Sequence, residues 1–306
     1  MSGVPLAGPL GRALRAPVAV LYGAVLAHRL FHPPRRPHHR SPADVALAHR
    51  ASTVRAADGV PLDVWTIAGD GPDVAVVGHG IGLTKSASLA QARLLHDQGF
   101  TVVLFDHRNH GASGRDRSVS GLSRRFTLDV EACVAFARAQ VPEPRRTLVW
   151  GFSFSSFPSV YVLRDPAVPV DAVLCDSGPA ATLAPLFQGF LRAGALPVPA
   201  LLRGPGTLDQ VARTCARVAT AMLSTAWPPP AHLGRFDRTP MLFLVGRDDP
   251  IVPVAEVAAL ADRFPLAQHV VVGGGHLRGL KDDPDGYRAA VLGFLAGAAA
   301  PSGRAG

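Results

Sequence analysis

The sequence predicts an α/β domain: a mostly parallel sheet of about eight strands, helices on both faces, and a helical cap inserted late in the chain. Three observations carry this expectation. Short runs rich in Val, Leu and Phe recur between stretches of helical periodicity, the pattern of parallel strands joined by crossover helices. Between residues 176 and 240 no strand-like run occurs, whereas a crossover needs only about a dozen residues. The 306 residues are 48% hydrophobic, enough to bury a sizeable core.

Residues 1–43 form an N-terminal extension. Arg12 and Arg15 precede an apolar stretch over 16–27, and a Pro/His/Arg-rich run follows over 31–40. Twelve apolar residues are too few to span a bilayer, which takes about 20. The segment reads as a short helix packed on the domain, as a weak contact with an anionic membrane surface through residues 10–40, or as a signal peptide cut after Ala27. Basic residues directly after Ala27 count against export. The expected location is cytoplasmic, with membrane association through this segment as the second expectation. Pro33-Pro34-Arg35-Arg36-Pro37 predicts an extended linker.

Net charge separates this extension from the body. Eight arginines against one acid, Asp44, give residues 1–55 a charge of +7 out of the total +8. The rest is nearly neutral and carries no basic-and-aromatic stripe, which argues against nucleic acid as a partner. Cys133, Cys175 and Cys215 are odd in number and widely spaced, so neither a disulfide framework nor a metal site is expected.

The core is expected over 44–179 and 237–299, the cap over 180–236, and a flexible tail over 300–306. Runs at 53–55 and 62–67 flank Asp58-Gly59, a hairpin signal. Strands at 73–77, 101–105, 147–152 and 172–175 alternate with helices near 86–98, 123–140 and 154–164. In the cap, Leu183, Leu186, Phe187, Phe190 and Leu191 mark one apolar helical face, and 208–223 reads as a second helix. The sheet resumes at 241–245 and 269–272, with helices near 254–264 and 284–296.

Four stretches carry chemistry. In Gly151-Phe152-Ser153-Phe154-Ser155 an apolar strand runs into a serine and then a helix, the setting of a nucleophile elbow. Strand and helix approach closely there, so the residues two before and two after the serine must be small, as Gly151 and Ser155 are. Val77-Gly78-His79-Gly80-Ile81-Gly82 follows a strand, and its Ile81 amide together with that of Phe154 is the candidate oxyanion hole. Arg247-Asp248-Asp249 ends the strand at 241–245. Asp249 is the preferred carboxylate for orienting a histidine, with Asp248 and Asp176 as alternatives. Gly273-Gly274-Gly275-His276 ends the last strand and offers His276 as general base.

With Phe105-Asp106-His107-Arg108-Asn109-His110-Gly111-Ala112-Ser113, these motifs resemble the α/β-hydrolase family of serine-hydrolase type (esterases, thioesterases and serine aminopeptidases). The resemblance covers residues 51–296, about four-fifths of the chain. It departs from the family at Asn109 and Ser155, each standing where glycine is usual. It implies a Ser153–His276–Asp249 triad that cleaves an ester, thioester or amide without a cofactor, and structural roles for Asp106, Arg108 and His110. Phe152, Phe187 and Phe190 suggest a pocket for a small-molecule substrate with an apolar acyl group. An acyltransferase or cyclising thioesterase would use the same residues, and a non-catalytic binding protein would use only the pocket.

Overall fold

The computed structural model describes residues 9–194 and 196–298. At its centre lies one sheet in the order β1 (Arg50–Arg55), β2 (Pro61–Ile67), β4 (Thr101–Phe105), β3 (Asp73–Gly78), β5 (Arg146–Phe152), β6 (Ala172–Asp176), β7 (Met241–Gly246) and β8 (Ala267–Val272). The β1–β2 hairpin and the β2–β4 pair are antiparallel; the other neighbours run parallel. Strands β3 to β7 are buried along nearly their whole length because helices cover both faces.

One face packs against α3 (Leu122–Arg138), α4 (Ser156–Tyr161) and α7 (Val254–Ala261), where Val134, Val160 and Leu260 share a core with Val76, Val149 and Phe243. The other face meets α2 (Leu89–His96) and α9 (Pro284–Gly297), with Leu95, Tyr287 and Phe294 in one core with Val77, Trp150 and Leu244. The chain passes from β3 outward to β4 and then back across to β5. This reversal opens a crevice at the carboxyl ends of β3 and β5, where ligands collect in such sheets.

A third apolar cluster lies outside the sheet. The interval between β6 and β7 holds α5 (Leu183–Arg192) and α6 (Pro205–Leu223), and α1 (Pro9–Phe31) packs along α6. Close approach depends on Gly23, where an added Cβ would sit 2.7 Å from the Val211 carbonyl oxygen. Leu26, Ala27, Leu30 and Phe31 are buried there, whereas Val18, Leu21 and Val25 face outward and stay exposed. Among the described residues no helix is long and apolar enough to cross a membrane.

The stretch after α1 lacks regular structure but does not act as a free spacer. Asn109 Nδ2 donates to the Phe31 carbonyl at 3.0 Å, Arg35 donates to the Ser113 carbonyl, and His38 Nε2 lies 2.6 Å from Asp106 Oδ2. Linker composition gave no sign of these attachments, because each partner lies about 70 residues or more away along the chain.

Candidate active site

Strand β5 delivers Ser153 into a tight turn with φ +49°, a left-handed conformation that costs a non-glycine residue roughly 1–2 kcal/mol. The short 3₁₀ turn Ser153–Ser155 then leads into α4. A Cβ on Gly151 would meet the Ser155 carbonyl oxygen at 2.5 Å, which explains the need for glycine before the serine. Ser155 fits in the second small position because Gly78, on adjacent β3, leaves room: a Cβ there would lie 2.0 Å from Ser155 Oγ. That hydroxyl pairs with His107 Nε2 at 2.8 Å.

Ser153 Oγ lies 2.9 Å from His276 Nε2, and His276 Nδ1 lies 2.8 Å from Asp249 Oδ2. A carboxylate can only accept, so Nδ1 carries the proton and Nε2 presents a lone pair to the serine hydroxyl. The other oxygen of Asp249 accepts from the Ile251 and Val252 amides at 2.8 and 3.0 Å. His276 sits between β8 and the short α8 (Gly279–Asp282), and the next amide, Leu277, donates to Ser177 Oγ at 2.9 Å. Of the alternative acids, Asp248 is exposed. Asp176 accepts from Tyr287 Oη at 2.6 Å and Ser177 Oγ at 2.9 Å instead. Burial raises the Asp176 pKa above the usual carboxylate range, against the opposing pull of those two hydroxyls.

Ser153, Phe154 and Ile81 line one narrow apolar cavity with Phe187, Phe190 and Leu30. Its volume is about 20 Å³, room for little more than one water. The Ile81 amide has no hydrogen-bond acceptor among the described residues. Phe154 belongs to the first turn of a helix, where amides have no partner within the helix. Phe190 sets its ring edge-on to His276, centroids 6.0 Å apart, and Phe31 packs edge-on to Phe154 and Phe187 at 5.8 and 6.2 Å.

Phe152, expected in the pocket wall, is not there. Alternation along β5 sends Leu148, Trp150 and Phe152 to the opposite face of the sheet, where Phe152 stacks on Trp150 at 5.2 Å. Leu30 lines the wall in its place, and Phe31 packs against Phe154 and Phe187 of that wall; sequence reasoning missed both. Both lie beyond the apolar stretch read over 16–27, Phe31 at the head of the Pro/His/Arg-rich run, so nothing in the sequence marked them.

The loop after β4 braces this region. Asp106 accepts from the Lys85 amide at 2.8 Å, Lys85 Nζ at 3.1 Å and the Ala112 amide at 3.1 Å, besides His38. Burial alone would raise its pKa, but the His38 hydrogen bond and the Lys85 charge and amide hold it far below the carboxylate norm. Arg108 is buried and pairs with Asp129, Asp58 and Asp116. His79 donates from Nδ1 to the Gly80 carbonyl and accepts the His107 amide at Nε2. Burial keeps His79 and His110 neutral, lowering the His110 pKa to about 4. His38, Asp63 and Asp106 bring three metal-type donor atoms within 4.8 Å of one another. Lys85 Nζ pairs with both carboxylates, so an ammonium group already supplies the positive charge that a metal ion would bring.

The model of the Alpha/beta hydrolase family matches residues 79–290, more than half of the chain. The Bacillus subtilis protein YqkD is 23% identical over 230 residues, covering 74% of this chain and 72% of its own. Among solved structures, the Pyrococcus furiosus esterase Pf2001 superposes with a TM-score of 0.68 at 21% identity, over 87% of this chain and 97% of its own. A hydrolase from Pseudomonas aeruginosa gives 0.57 at 20% identity, over 80% and 98%.

Proposed function

The chain belongs to the alpha/beta hydrolase family, and from that premise we propose that it is a serine hydrolase that cleaves an ester, thioester or amide through an acyl-enzyme. The observation that carries this reading is the unbroken line from Ser153 Oγ through His276 to the buried Asp249 carboxylate. His276 Nε2 takes the serine proton as Oγ attacks the acyl carbon, and Asp249 stabilises the imidazolium that results. The Ile81 and Phe154 amides receive the oxyanion, a device worth about 3–4 kcal/mol per donor in measured cases. The same imidazolium protonates the leaving group, and His276 then activates the water that releases the acid. Phe154, Phe187 and Phe190 favour an apolar acyl group. Likeness to an esterase, Pf2001, fits this choice of bond.

The test uses p-nitrophenyl esters of rising chain length and a fluorophosphonate probe. Ser153→Ala is expected to lose both turnover and labelling, and Asp249→Asn to lose about ten-thousand-fold in kcat. Equal labelling of wild type and Ser153→Ala would remove Ser153 from the mechanism.

A further inference from the structure

A second, larger cavity adjoins the one over Ser153. It measures about 410 Å³, within the range of small-molecule sites, and shares Leu30, Ile81 and Phe190 with the smaller cavity. These three side chains are the common wall. The two cavities differ in character. The one over Ser153 is apolar, as an acyl group requires; the larger carries two guanidinium groups, Arg29 and Arg36.

Both arginines are exposed, and neither has a hydrogen-bond or ion-pair partner among the described residues. Arg29 and Pro33 also border a third cavity, of about 500 Å³, whose lining adds Arg35, Arg115 and Arg117. Its one carboxylate, Asp116, is already engaged by Arg108 and Arg125. Five guanidinium groups from α1, the strap after it and the loop at 115–117 therefore line two cavities that share Arg29, with no free counter-charge among the residues lining them. Complementing the helix dipole accounts for a cation in the last turn of α1 such as Arg29. It does not account for Arg36, Arg115 and Arg117, which come from outside that helix. Burial first, and then the charge of Arg115, lower the Arg35 pKa, with Asp106 pulling the other way.

We propose that Arg29 and Arg36 bind an anionic group, a phosphate above all, on the leaving-group side of the substrate. The acyl chain enters among Phe154, Phe187 and Phe190, whose side chains part to admit it because the cavity between them holds little more than a water. The leaving group passes Ile81 into the larger cavity toward the two arginines. This assignment rests on the serine-hydrolase reading. The substrate class is then an acyl ester or thioester of a phosphorylated alcohol or thiol. The acyl C–O or C–S bond breaks, the leaving atom takes its proton from His276 Nε2, and water supplies the oxygen of the released acid. Guanidinium groups suit this task because their planar N–H forks match phosphate oxygens.

The experiment compares two esters with chemically alike leaving oxygens, 1-hexanoyl-glycerol 3-phosphate and 1-hexanoyl-glycerol, both as monomers in solution. Wild type is expected to prefer the phosphate ester about two- to thirty-fold in kcat/KM, through KM, as two exposed charge pairs allow. In Arg29→Ala/Arg36→Ala the ratio is expected to fall close to one, and Arg29→Lys/Arg36→Lys to recover most of it. Loss of the preference as salt rises gives the same answer without a variant. Hydrolysis of both esters at equal rates overturns the anionic-group assignment and leaves the serine hydrolase standing. Failure on both esters together with no fluorophosphonate labelling overturns the hydrolase reading, and this inference with it. A preference seen only when the esters are carried in phosphatidylserine vesicles assigns the arginines to the bilayer surface and overturns the leaving-group site.

Discussion

A Cβ on Gly78 would fall 2.0 Å from Ser155 Oγ and 3.2 Å from His107 Nε2, so three residues from three segments share one small space. Gly78→Ala is expected to destabilise the wild type by several kcal/mol through overpacking. In the Ser155→Gly background the same change is expected to cost at least about 1 kcal/mol less, because the nearest clashing atom is gone. Urea unfolding of the four proteins of this cycle measures the difference, and strict additivity would refute the coupling. Single residues were unevenly legible in the sequence. Ser153, Asp249 and His276 stand at strand ends flanked by glycine or turn residues, so their convergence followed from topology. Phe152 was misassigned by adjacency to Ser153, although strand alternation already turned it away. The burial of Lys85 had no sequence signal, since its partners Asp63 and Asp106 lie 22 and 21 residues away.

At the scale of elements, the helix α1 is part of the pocket and not an appendage. Phe31 packs on Phe126, Phe154 and Phe187 at once. Phe31→Ala is expected to cost about 3–5 kcal/mol and to leave a void beside Phe187. The same variant is expected to shift the preferred p-nitrophenyl ester toward longer acyl chains. An unchanged chain-length profile would separate α1 from the acyl pocket. The alternation of strands and helices was readable because each element buries its own apolar face, a local property. The seat of α1 on α6 was not, because it depends on a match between segments about 190 residues apart, and sequence periodicity carries no address. Asn109 shows the same limit. Its φ of +66° suits asparagine in a glycine place, but only the folded chain reveals its bond to the Phe31 carbonyl.

For the molecule as a whole, the buried histidines set the acid response. His79 and His110 are held neutral in the fold, with pKa values below the ordinary 6.5, whereas both take up protons in the unfolded chain. The unfolded state therefore binds more protons below about pH 6.5, and stability falls as pH drops from there toward about 4. Each histidine contributes a slope of up to about 1.4 kcal/mol per pH unit within that window. Thermal melts between pH 7.5 and 4.5 are expected to show this decline, and His110→Gln to reduce it by about one proton. A melting temperature that stays flat across the window would contradict the assignment.

The strap beyond α1 ends its reach in one short loop: Asn109, Ser113 and Asp106 hold its three fastenings. Tension that lifts α1 from α6 passes next to this loop, whose His107 pairs with Ser155 two residues from Ser153. Anchoring the protein to a bead or sensor by its amino-terminal end loads this loop, and turnover on the surface is expected to depart from turnover in solution.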